Sequence, residues 1–270
     1  MLIIGELINC TRKKVGEAAR TRDAEFFKDL ARKEANAGAH MLDVNGGLPD
    51  QEVELLSWLV DLVQGVVEIP LCLDSADPKA LSKALPLCRQ RPMVNSISDE
   101  PARWAMLPIL KEHRPKVIAL CISEAGTPSG VEDRVATASR LLDRLTAEGF
   151  SLDDLYVDAC AMPISTSQDQ GLKLVMSIGQ IAARYPGVHF SAGVSNVSFG
   201  LPQRKLLNET FLLLLMAQGL DAAIVDPCDP QLMMSVVAAE ALLGRDEYCG
   251  EYLRAFRQGK LAPPAALVQV

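Results

Sequence analysis

Short apolar runs alternate with longer amphipathic ones from one end of the chain to the other, eight times over, and no other feature narrows the fold so far. The short runs fall at residues 2–8, 40–44, 70–73, 92–94, 117–121, 155–157, 188–192 and 222–225. They are rich in Val, Ile, Leu and Ala without polar alternation, as strands covered on both faces must be. The longer runs predict helices near 23–37, 50–64, 78–84, 101–112, 131–147, 168–183, 203–218 and 231–243. Asp23 is placed to cap the first of these and Gly38 follows its end, while Pro78 and Pro101 stand where a helix has no use for an N–H. Eight βα units in 270 residues match the roughly 250 residues of a (β/α)8 barrel, the α/β TIM barrel, and favour it over a doubly wound open sheet because its closure leaves no sheet edge exposed. One domain over 1–256 is expected, with a final helix through Phe256 and then a tail over 257–270 that includes Pro263, Pro264 and an apolar end.

The stretch GVSNVSFGLPQR (193–204) lies where the seventh strand hands over to a strongly apolar helix, and such joints are where α/β folds place ligands. Gly193 and Gly200 are read there as residues freeing the backbone, and Asn196 as a short amide that both donates and accepts. Polar side chains also interrupt the other strands near their carboxyl ends: Glu6 and Asn9, Asp43 and Asn45, Asp74 and Ser75, Asn95 and Ser96, Asp158, and Asp226. Any one of them is equally a cap or a loop residue. In a barrel, however, these ends converge on one mouth, and together they predict a polar pocket.

Such a pocket is rich in carboxylates and amides, and the chain carries neither a P-loop nor a GxGxxG fingerprint. A carboxylate accepts two parallel N–H bonds, so Asp74 and Asp158 suit a flat heterocycle with an amino-amidine edge, such as a pterin. Oxygen ligands around magnesium are the competing use of the same acids. Three histidines with no zinc-like spacing point away from a histidine metal site. Seven cysteines without a CxxC pair read as buried free thiols. A formal charge of −7 and a pI near 5.1 argue against nucleic acid or an anionic membrane as partner. The opening MLIIGELINC lacks a basic start and cleavage site, and no apolar run nears the roughly 18 residues of a membrane span, so a cytoplasmic location is expected.

With these residues placed, the chain resembles the pterin-binding barrel methyltransferases. The nearest likeness is to those serving corrinoid/iron-sulfur proteins and bacterial demethylation systems; the folate domain of cobalamin-dependent methionine synthase and dihydropteroate synthase are more distant. The resemblance rests on IIGELIN (3–9), LDVNGG (42–47), LCLDS (71–75), VNSIS (94–98), GTPSGVEDR (126–134), LYVDAC (155–160), GVSNVSFGLPQR (193–204), NETFL (208–212) and GLDAAIVDPCD (219–229), in that order. It implies that Asp74, Asn95 and Asp158 hydrogen-bond the pterin ring and that Asn196 reaches the nitrogen carrying the methyl group. Gly193 and Ser195 would shape that wall, Asn9 and Asp43 support the mouth, and Arg204 lie beside the site. It further implies tetrahydrofolate and methyltetrahydrofolate as substrates, a cobalt corrinoid carried by a partner protein, no metal on this chain, and a homodimer.

A tertiary amine is a poor leaving group, so an amide that strengthens its bond to the nitrogen as charge changes there supplies the interaction catalysis needs. Asn196 is the residue expected to do this. The segment CTRKKVGEAARTR (10–22) reads as a loop carrying Arg12, Lys13, Lys14, Arg20 and Arg22. It is either a solvated basic face or a contact for folate carboxylates or the corrinoid protein. Three other functions stay open at this point. A dihydropteroate synthase-like enzyme would share the pterin pocket, a docking subunit would bind folate without turnover, and a magnesium-dependent barrel would use the acids as ligands.

Overall fold

The computed structural model describes residues 1–48 and 50–261. Eight strands form it: β1 (Leu2–Asn9), β2 (Met41–Asn45), β3 (Leu71–Asp74), β4 (Met93–Asp99), β5 (Lys116–Ser123), β6 (Leu155–Asp158), β7 (His189–Ser191) and β8 (Ala222–Val225). All pairings are parallel, in the order β7-β6-β5-β4-β3-β2-β1-β8. The ring closes between β7 and β8, where Ile224 N–H donates to Ala192 O at 3.0 Å and Asp221 N–H to Phe190 O at 3.4 Å. The eight-stranded barrel expected from the alternation is therefore the fold.

Helices α1 (Lys13–Arg20), α2 (Ala24–Asn36), α3 (Glu52–Gln64), α4 (Pro78–Ala84), α5 (Leu107–His113), α6 (Val131–Ala147), α7 (Gln170–Arg184), α8 (Arg204–Ala217), α9 (Pro230–Leu242) and α10 (Gly250–Arg257) accompany the strands. Asp23 caps α2 by accepting from Phe26 N–H at 3.1 Å, and Asp77 and Asp229 do the same for α4 and α9, whose first residues are prolines.

Three boundaries differ from expectation. The basic segment is not a loop: residues 13–20 form α1, which buries Val15 and Ala19. Its N-cap, Arg12, makes no side-chain cap, and Gly16 sits mid-helix, so neither local signal announced it. The segment from Pro101 begins as a 3-10 helix (Pro101–Met106) and becomes α-helical only at α5. Strands β1 and β4 run longer than their apolar stretches, so Glu6 and Asn95 lie within strands rather than at their ends. Of the expected tail, 262–270 lies outside the described residues.

Two apolar clusters fill the fold. The larger joins helices to the outer faces of the strands, with Phe27, Leu55, Leu59, Leu141 and Leu215 fully buried. The smaller comprises Ile4, Met41, Cys72, Met93, Ile118, Tyr156 and Ala222, one residue from each of seven strands, and packs the barrel interior. At about 25 cal/mol per Å² of buried apolar surface, this double burial is the main favourable contribution to stability. No helix among the described residues is long and apolar enough to cross a membrane.

Candidate functional site

Strand side chains repeat their direction every second residue. Two residues on from each member of the interior apolar layer therefore stands another inward-facing side chain: Glu6, Asp43, Asp74, Asn95, Leu120, Asp158 and Ile224. All seven line a cavity of about 920 Å³ at the carboxyl ends of the strands. The layer that lines the pocket is thus the next layer of the barrel core, made polar. Asn9, Gly193, Ser195, Asn196 and Arg204 line the same cavity, so all nine residues selected from the sequence meet there.

The acids are held by amides. Asn45 Nδ2 donates to Asp74 Oδ2 at 2.9 Å, and Asn95 Nδ2 donates to Asp43 Oδ1 at 3.2 Å. Burial pushes the Asp43 carboxyl well above the usual carboxylate range, and the neighbouring Asp74 charge pushes it further. Asp74 is likewise raised, by burial first, against the opposing Asn45 bond. Asp158 accepts from Cys160 N–H at 2.8 Å, and burial raises it to about 6 in spite of that bond. The Asn95 Oδ1 accepts no hydrogen bond among the described residues. A wall of raised carboxyls and an amide with spare capacity can accept from, and donate to, the edge of a flat heterocycle. Among the described residues no group of three or more His, Cys, Asp or Glu is arranged to hold a metal ion.

The strand-to-helix joint after β7 is a 3-10 turn, Val194–Asn196, that presents Asn196 at the exposed rim. The Asn196 side chain makes no hydrogen bond among the described residues, whereas its neighbours are tightly tied. Ser195 Oγ donates to Glu6 Oε2 at 3.2 Å, and Arg204 donates through Nη2 to Ser195 O at 2.6 Å and through Nε to Ser198 Oγ at 3.0 Å. Ser198 Oγ donates in turn to Asn208 Oδ1 at 2.6 Å. A rigid turn therefore carries one free amide. Gly200 needs its glycine, with φ +81°, but Gly193 has an ordinary φ of −77°. At Gly193 the constraint is space: a Cβ would stand 3.2 Å from Asn196 Nδ2.

Glu6 stands among the polar residues that predict the pocket, but the sequence assigned it no role there. It lines the cavity and joins two loops, accepting from Ser195 and from Arg12 Nη2 at 2.8 Å. Of the basic residues in this segment, Arg12 lines the cavity, beside Thr11, whereas Lys14 and Arg22 lie over the rings of Phe26 and Trp58. Phe199, 65% exposed, and Arg103 also line it. Phe199 stands inside the motif already noted, but its type carried no polar signal.

Known proteins resemble this chain over most of its length. The sequence pattern of the pterin binding enzyme family matches residues 5–226. The chain is 38% identical over 270 residues to the methylcorrinoid:tetrahydrofolate methyltransferase of Eubacterium limosum, covering 98% of this chain and 100% of that protein. It is 31% identical over 245 residues to the methionine synthase of Mycobacterium leprae, covering 83% of this chain but 20% of that longer protein. The fold matches dihydropteroate synthase from Xanthomonas albilineans in complex with 7,8-dihydropteroate, with a TM-score of 0.67, 17% identity, and 89% and 94% of the two chains covered. This chain belongs to the pterin-binding enzyme family.

Proposed function

We propose that this protein moves a methyl group between the cobalt of a corrinoid protein and N5 of tetrahydrofolate. The observation that carries the proposal is the full-length likeness to a methylcorrinoid:tetrahydrofolate methyltransferase. It is supported by a cavity whose inward layer is built from Asp43, Asp74, Asn95 and Asp158. The likeness to dihydropteroate synthase, at 17% identity, speaks for the barrel alone and does not favour that enzyme's chemistry.

In this reading Asp74, Asn95 and Asp158 hold the pterin by its donor-rich edge, and Asp43 keeps the Asn95 amide turned towards the cavity. Asn196 hydrogen-bonds N5. When methyltetrahydrofolate donates, the C–N5 bond breaks with its electron pair left on N5, which takes up a proton from solvent to give tetrahydrofolate, and the methyl group is taken by Co(I), which becomes methyl-Co(III). Asn196 is held on its turn by Ser195 and Arg204 and has no competing partner, so its bond strengthens as the pair develops, a contact worth most in the transition state. In the reverse direction the same amide orients the N5 lone pair towards the methyl group. A corrinoid protein approaching the mouth meets the exposed rim that carries Asn196 and Phe199.

We further place the protein in the cytoplasm as a homodimer. Neighbouring helices α7 and α8 expose Leu172, Met176, Leu206 and Leu214, an apolar face suited to a second copy. A titration with tetrahydrofolate and methyltetrahydrofolate, followed by absorbance of methylcob(III)alamin as surrogate donor, tests the reading. Folate-dependent loss of methylcobalamin is expected. Absence of folate binding would overturn the pterin site.

A further inference from the structure

Arg134, in the first turn of α6, is the largest fully buried side chain among the described residues, with 0% exposure. It has no carboxylate partner among the described residues. Instead its guanidinium donates to four oxygens: Nε to Ala159 O at 2.7 Å, Nη1 to Gly130 O at 3.2 Å, and Nη2 to Cys160 O at 3.2 Å and to Gln170 Oε1 at 2.9 Å. Burying a lone cation is costly, and carbonyl dipoles offset only part of the lost hydration. The arrangement calls for a local benefit, and its contacts show where that benefit falls. Ala159 and Cys160 are the two residues that follow Asp158. Cys160 is held at φ +62°, a left-handed conformation unfavourable for a side chain, and in that conformation its N–H points at Asp158 Oδ1.

We propose that Arg134 is the positioning residue of Asp158: by fixing the carbonyls of Ala159 and Cys160 it locks the turn whose N–H aims the Asp158 carboxylate into the cavity, and its charge favours the ionised form of that carboxylate. The role in pterin binding rests on the function proposed above; the link between Arg134 and Asp158 does not. The titratable and charged groups around Asp158 are Arg134 from α6, Cys121 from β5 and Cys160 from its own turn. Burial pushes both thiols up, Cys160 to about 12, so Arg134 is the charge that acts on Asp158 at neutral pH. Asp158, raised to about 6 by burial, is kept from rising further by the Cys160 and Gly193 N–H groups and by Arg134.

The test is a titration of the Asp158 carboxyl by carbon-13 NMR of aspartate-labelled protein, assigned with Asp158→Asn, in the wild type, Arg134→Lys and Arg134→Gln. The midpoint is expected to move upward in Arg134→Gln and less in Arg134→Lys, because a positive charge and an aimed N–H both favour the carboxylate. An unchanged midpoint in a folded Arg134→Gln would overturn the proposal. Should that variant fail to fold, Gln170→Leu frees one arm of the guanidinium; a smaller upward shift supports the link and no shift overturns it. Tetrahydrofolate affinity is then compared in a double-mutant cycle. Arg134→Gln is expected to cost about tenfold or more in the wild type and much less in an Asp158→Asn background. Equal costs in both backgrounds would refute action through Asp158. Loss of the midpoint shift condemns this proposal, whereas failure of the wild type to bind folate condemns the pterin reading.

Discussion

The two ends of the barrel treat polar side chains in opposite ways. At the mouth, carboxyls are raised above their usual range by burial, and Asn196 has a side chain with no partner among the described residues. At the other end polar groups are paired with one another. Lys116 Nζ donates to Tyr156 OH at 3.0 Å, the Tyr156 ring stacks on His189 at 4.7 Å, and the His189 imidazole lies between Asp221 and Asp153. Asp221 Oδ1 also accepts from Phe190 N–H at 2.8 Å, so one side chain ties β7 to β8 at the seam that closes the barrel. The difference teaches how one fold divides its labour. Hydrogen-bond capacity left over at the mouth is capacity for a ligand, while capacity used up at the floor holds the ring shut.

The comparison breaks most readily at Asn196. If its amide serves the reacting nitrogen, Asn196→Ala lowers methyl-transfer turnover by about 10²–10³ with little change in folate affinity. Steady-state kinetics with binding measured separately checks this, and a parallel loss in both would move Asn196 among the binding residues.

Glu34 sharpens the contrast between raised and paired acids. It belongs to α2 and reaches β1, fully buried, with Oε1 accepting from Leu7 N–H at 2.9 Å where the β1–β2 register shifts, and with Oε2 unpartnered among the described residues. Burial raises it to about 8. A carboxyl raised on folding binds its proton more tightly in the native state, so its effect is to lower stability as pH climbs from its unfolded value to about 8. Glu34→Gln is expected to remove about 3 kcal/mol of that decline. Chemical denaturation at pH 5 and pH 8 reads the difference, and equal pH slopes in the two proteins would show that Glu34 ionises freely.

Asp158→Asn is expected to weaken tetrahydrofolate binding by about 10- to 100-fold, since a carboxylate holding two N–H groups is replaced by an amide. In the wild type the affinity should fall as pH drops through about 6, where Asp158 takes up its proton. Calorimetric titrations across that range check both. An affinity flat from pH 5 to 8 would detach Asp158 from the ligand.

The smallest effect belongs to the floor. Burial opposes charging His189, but Asp221 and Asp153 outweigh it and raise the imidazole. A raised histidine stabilises fully below its unfolded value, and the contribution disappears as pH rises through the folded value. Asp221→Asn should cost about 1 kcal/mol at pH 5.5 and less at pH 8, with turnover unchanged. Thermal melts at the two pH values measure it; a loss of turnover instead would erase the division between the ends.

Much of this was legible residue by residue. The apolar runs fixed eight strands to within a few positions, and Asp23 and Pro78 marked real helix starts. The polar interruptions at Asp43, Asp74, Asn95, Asp158 and Asn196 do converge in one cavity. Helix α1 stayed hidden because neither its cap nor its central glycine favours a helix, and packing of Val15 and Ala19 overrides them. Gly193 looked like a backbone device, but its φ is ordinary and a Cβ there would stand 3.2 Å from Asn196 Nδ2.

What the sequence determined by itself is what depends on near neighbours: the short apolar strand runs, their alternation with helices, and hence an eight-unit barrel with its polar residues at one end. The family followed from the order of short motifs. Only the tertiary structure decided which polar groups are paired and which are free. Glu34 meets Leu7, Arg134 meets Ala159 and Cys160, and Asp221 meets His189 and Phe190, over separations of 25 to 32 residues. Such meetings are set by strand register and barrel closure, which no local pattern encodes. Because a carboxyl's charge state depends on burial and on the donors that reach it, the chemistry of this mouth exists only once the ring is closed.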